Sequence, residues 1–157
     1  MNNGQRLLAV IAMFFLSACG GGGGGGSNVG STMTQTISLQ GTGATSVKAI
    51  EATVVLPAGV VLRTDATGKL QAGVFSTTGS ASSGLLDGNY TPATAATSAT
   101  LTLGFITTGS LNAGEIIIIN ADLVAGATAQ AASPFTLNNS TLIDGSGNTV
   151  STASLTM

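Results

Sequence analysis

Few residues in this 157-residue chain can do chemistry, and one stands apart: Cys19, the only cysteine, follows Leu16, Ser17 and Ala18 and precedes seven glycines. One cysteine cannot close a disulfide within the chain, so its thiol is free to act as a nucleophile. With no histidine anywhere, neither a Ser/His/Asp nor a Cys/His system can be assembled. A zinc site loses its usual ligands for the same reason. The six carboxylates, Glu51, Asp65, Asp87, Glu115, Asp122 and Asp144, are scattered. They give no sign of the carboxylate pair that glycoside hydrolysis needs. Asp144, Ser146 and Asn148 have the alternating oxygens of a calcium loop but lack its downstream bidentate Glu. A glycine turn in which Asp and Asn bond their own backbone accounts for them better. The expectation is a protein without catalytic machinery, cofactor or metal.

The segment around Cys19 has a recognisable order. Arg6 supplies a positive charge, residues 7–16 are ten consecutive apolar residues, and small side chains follow. This is the plan of a signal peptide. A permanent span needs about 20 apolar residues. Leu16, Ser17, Ala18 and Cys19 resemble, residue by residue, the lipobox of bacterial lipoproteins. The resemblance implies cleavage between Ala18 and Cys19, a diacylglyceryl group on the Cys19 sulfur and a further acyl chain, such as palmitate, on the new amine. Two or more chains give stable anchoring in a lipid bilayer. Gly20, where an acidic residue favours inner-membrane retention in many Gram-negative lipoproteins, points to the outer membrane, on its periplasmic or cell-surface face.

These positions divide the chain into a leader at 1–18, a lipidated cysteine with a flexible tether at 19–33, and a single domain at 34–157. Glycine tracts behave as coils, and about a dozen such residues reach roughly 20 Å. A phosphate-cradling role for the glycines is excluded, since the Lys and the following helix it needs are absent. The domain carries only Lys48, Arg63 and Lys69 as bases, dispersed and outnumbered by acids. Nucleic acid, which demands clustered cations, is thereby excluded.

Hydrophobic periodicity is two rather than 3.6 from Thr34 onward. Strands are expected at 34–40, 47–56, 60–64, 70–76, 100–107, 115–124, 135–143 and 150–157, with Phe75 as a core residue. Residues 77–99 are rich in small side chains, with Leu85, Leu86 and Tyr90 in a short strand or packed loop. The four isoleucines 116–119 demand burial on both faces or protection, since exposed they would template aggregation. They are placed centrally, with Glu115 as gatekeeper. Asp144 to Thr149 reads as the turn of a closing hairpin. Eight or nine short strands in this length make an all-β, two-layer antiparallel sandwich.

The strand pair 49–56 and 59–62 around Pro57, the strand 101–106, the apolar strand 116–123 and the ending 140–157 resemble the cohesin-like and carbohydrate-binding-module sandwich family. The resemblance covers nearly the whole domain and implies a nine-stranded jelly-roll that binds or assembles outside the cell. Cohesins bind dockerin modules through one exposed sheet face, but no dockerin contact residue is matched in this chain. The leading expectation is a lipoprotein displaying a sandwich for protein contacts. A surface carbohydrate-binding module is the alternative, with Tyr90, read as the one aromatic in a loop, as its possible ligand contact. A structural protein that self-assembles by edge pairing is the third reading.

Overall fold

The computed structural model describes residues 29–124 and 135–157. The lipobox residues Leu16, Ser17, Ala18 and Cys19, the leader and the glycine tract lie outside the described residues. Nine strands, numbered in chain order, form two antiparallel sheets. One sheet holds β1 (Val29–Gln40), β3 (Val60–Val61), β4 (Phe75–Thr77), β7 (Gly114–Val124) and β9 (Ser154–Thr156), in the order β3-β7-β1-β9 with β4 also on β7. The other holds β2 (Val47–Val55), β5 (Leu85–Thr91), β6 (Thr100–Ile106) and β8 (Thr136–Asp144), in the order β5-β6-β2-β8. The fold is therefore a two-layer antiparallel β-sandwich.

Alternation decides which side of each strand enters the core. Ile50, Ala52 and Val54 of β2, and Leu101, Leu103 and Phe105 of β6, are buried between the sheets. Ile37 and Leu39 of β1 meet them from the other layer. Each of these side chains except that of Ala52 contributes roughly 1.5–3 kcal/mol over its exposed state.

The isoleucine run obeys a different rule. β7 has β1 on one side and both β3 and β4 on the other, so it is central as its composition requires. Between Ile37 and Ser38 the β1 register jumps from Ile117 to Glu115, leaving Ile116 as the extra residue of a β-bulge. A bulge sets two neighbours against one residue of the partner strand. Ile116 and Ile117 are thus both fully buried despite being consecutive.

Several expectations need correction. β1 begins at Val29 rather than Thr34, and Ser31, Thr32 and Met33 already pair with β7. The hairpin at Asp144 is a single bridge, Ile143 to Thr149, after which the chain leaves β8 and β9 joins β1 in the opposite sheet. β4 runs from Phe75 to Thr77 and shares only Phe75 and Ser76 with the strand expected at 70–76, and Phe75 is half-buried against the core rather than inside it.

The turn after β8 has a twin. Asp144-Gly-Ser-Gly-Asn148 and Asp65-Ala-Thr-Gly-Lys69 share one geometry. In each, one Asp Oδ1 accepts the backbone N–H two and four residues on, at 2.8 and 2.9 Å for Asp144 and at 2.8 and 3.1 Å for Asp65. The fourth residue, Gly147 or Gly68, sits at φ 86 or 84, a conformation open to glycine. These bonds to the ionised form hold both carboxyls below their ordinary range. Asp144 spends its oxygens on its own turn, which is the structural role expected for it.

Candidate functional site

The outer face of the four-stranded sheet is built by the residues that alternate with the core. Cross-strand register arranges them in rows running β5-β6-β2-β8. The first row is Leu85, Ile106, Ala49 and Ile143, entirely apolar. Leu85 is 72% and Ile106 57% exposed, whereas large apolar residues elsewhere in the described sheets are mostly buried. The second row is Asp87, Gly104, Glu51 and Thr141. Gly104 has open space where a side chain would stand, so the two exposed acids flank a notch with a backbone floor. At about 4.8 Å per strand they stand roughly 10 Å apart at the backbone. The third row is Asn89, Thr102, Thr53 and Asn139, all neutral hydrogen-bonding groups. A shallow groove of about 430 Å³ runs over Glu51, Thr53, Thr102, Asn139 and Thr141.

This face grades from aliphatic through acidic to neutral polar within three rows. No basic side chain occupies any position in them. Such a surface can hold an aliphatic group and a cation side by side. Among the described residues no three His, Cys, Asp or Glu side chains gather to hold a metal.

At the β5 side of this face lies a larger cleft of about 670 Å³, which shares Asp87, Asn89, Thr102 and Gly104 with the second and third rows. Its walls are Asp87, Gly88, Asn89 and Tyr90 of β5 on one side, and Lys69, Leu70 and Phe75 on the other. Gly88 lets this wall lie close to the Phe75 ring, which a Cβ there would meet at 3.0 Å.

Tyr90 lies in β5, not in a loop, and is only 9% exposed. The strand faces it inward beside Leu86 and Gly88, so it offers little ring face to a sugar. Its hydroxyl is buried without a formed hydrogen bond. Burial raises its pKa, and the nearby Leu62 backbone offsets this in part. A second buried group, Asp122, pairs with Arg63 at 2.8 Å on the far sheet, leaving its other oxygen unpartnered.

No family model and no curated protein matches the chain. Among solved structures it is similar to the non-cellulosomal cohesin from the hyperthermophilic archaeon Archaeoglobus fulgidus. The TM-score is 0.52 at 15% identity, over 78% of this chain and 74% of that one. The fold is cohesin-like. At this identity the likeness concerns the path of the chain and not the ligand.

Sequence reasoning missed Leu85, Ile106, Glu51 and Gly104 as a group. They lie on three strands, and only register brings them together. The readable signal was local: Leu85 and Ile106 are large aliphatics at positions whose parity assigns them to solvent.

Proposed function

We propose that this chain is an exported lipoprotein, held to a bilayer through acylated Cys19, whose cohesin-like sandwich binds another protein through the outer face of the four-stranded sheet. The observation that carries the binding role is the apolar row, with Leu85 72% and Ile106 57% exposed on a sheet face that no described segment covers. Exposed aliphatic residues grouped beside polar ones are how interaction patches are built. Similarity in fold to a cohesin supports a binding rather than a catalytic role. Anchoring rests on the lipobox alone, and the outer membrane is the address it suggests.

Two measurements test the halves separately. Mass spectrometry of the chain from cells should find a mature N-terminus at Cys19 with acyl chains, and an unmodified thiol or a retained leader would end the anchoring proposal. Immobilised chain should retain a protein from extracts of its own organism, and Ile106→Glu should release it by placing a charge in the apolar row. Retention untouched by that substitution would move the interface elsewhere.

A further inference from the structure

A second site follows from the edge of the same sheet. β5 pairs with β6 in unbroken register over all seven residues, and among the described residues no strand pairs with its other side. Edges of this kind are ordinarily blunted by lysine, proline, a bulge or a covering segment. β5 reads Leu-Leu-Asp-Gly-Asn-Tyr-Thr and contains no lysine, proline or bulge. Its local guard is Asp87, whose Oδ1 accepts the Gly88 N–H at 2.9 Å. Four residues of β5, Asp87 to Tyr90, line the 670 Å³ cleft, whose volume is within the range of about 300–1,000 Å³ typical of ligand sites.

We propose that this cleft receives an extended peptide segment of a partner protein, which adds to β5 as a fifth strand of the sheet. The lining offers both of the characters that the two faces of a strand can use. Leu70 and Phe75 supply an apolar floor, while Lys69, Asp87, Asn89 and Thr102 supply a polar rim. A bound strand sends alternate side chains to opposite faces, so its apolar residues meet the floor and its polar ones the rim. Lys69 and Asp87 are both exposed and make no ion pair with each other. The segment therefore carries an acidic group for Lys69 and a basic one for Asp87. Affinity comes from main-chain hydrogen bonds to the free edge, and selectivity from the floor. This site shares Asp87, Asn89, Thr102 and Gly104 with the outer face, but no residue of the apolar row lines the cleft.

Panning a phage library of random heptapeptides against the full chain tests the proposal. The expected result is enrichment of sequences alternating apolar with charged residues. N-methylation of alternate backbone amides in an enriched peptide should then weaken binding at least tenfold in one register and little in the other. The paired reversal Lys69→Glu with Asp87→Lys, on rim positions with little packing role, should invert the preferred peptide charges. Ile106→Glu should leave peptide binding unchanged. No enrichment, equal tolerance of N-methylation in both registers, or loss of binding through Ile106→Glu would each overturn it. So would binding on a glycan array that the charge reversal abolishes, which would make the cleft a sugar site.

Discussion

Tyr90 is the only tyrosine in a chain without tryptophan, so one buried hydroxyl can be followed optically. Its phenol is held above the ordinary value near 10, chiefly by burial. A group whose folded pKa is raised adds stability that is complete below its unfolded value and is lost as pH rises through the folded one. Tyrosinate absorbance should therefore develop at higher pH in the native chain than in denaturant, and native stability should fall across that interval. A titration coinciding with the unfolded one would show the ring to be solvated. Because the buried hydroxyl makes only a weak contact with the Leu62 backbone that falls short of a full hydrogen bond, Tyr90→Phe should change stability by less than about 1 kcal/mol in urea melts. The acidic side has the opposite sign. Asp65 and Asp144 are depressed by hydrogen bonds within their turns, so their contribution is present above about pH 4 and fades as pH falls further. Asp144→Asn should lower stability at neutral pH, with the mutant and native curves converging by pH 2. A constant gap would mean that the carboxylate charge is irrelevant. Asp122 is different again, since its charge is buried against a half-exposed Arg63. Arg63→Met would strand that carboxylate at a cost of about 3 kcal/mol, more than a typical surface change, and denaturation midpoints would reveal it.

At the level of strands, much was legible from alternation alone. β2, β6 and β7 lie where period two places them, because their inward positions are consistently aliphatic and their termini are marked by Pro57, Gly109 and Gly114. What was not legible depended on pairing. No local signal says that β9 leaves its neighbour in sequence to pair with β1, since the turn at Asp144 is the same five-residue turn that opens at Asp65. β5 was obscured by its own small and polar residues, which suit an edge beside a cleft rather than a core strand. The loop reading of Tyr90 failed with it. For the isoleucine run, composition implied burial but could not reveal the bulge at Ile116, which makes the two faces unequal. Ile117 is fully buried, whereas Ile118 on the opposite face is only half-buried. Ile117→Ala should cost about 2–5 kcal/mol, and Ile118→Ala distinctly less. Urea denaturation of the pair measures the difference, and equal losses would contradict the bulged register.

The whole molecule has two unlike ends. Val29 pairs with Val124, whose N–H bonds to Gly59, and the Leu56 N–H bonds to Ala99. The start of the folded domain is therefore grouped with the Pro57 turn and with the Thr100 end of β6. Leu85 and Ile106 stand at the other end of that sheet, seven residues and roughly 20 Å along β6. If the chain is tethered through Cys19, the apolar row is carried at the end far from the bilayer, and the height of the domain supplies clearance that the glycine tract would otherwise have to provide. A coil of half the length reaches only about 0.7 times as far, yet the row would still stand a domain length from the lipid. Deleting residues 21–26 should therefore change capture of the protein partner by anchored chain on cells by less than about threefold. Capture that collapses with the shorter tether, while the same deletion in detergent-solubilised chain binds normally, would place the working surface at the end nearest the membrane and reverse the proposed orientation.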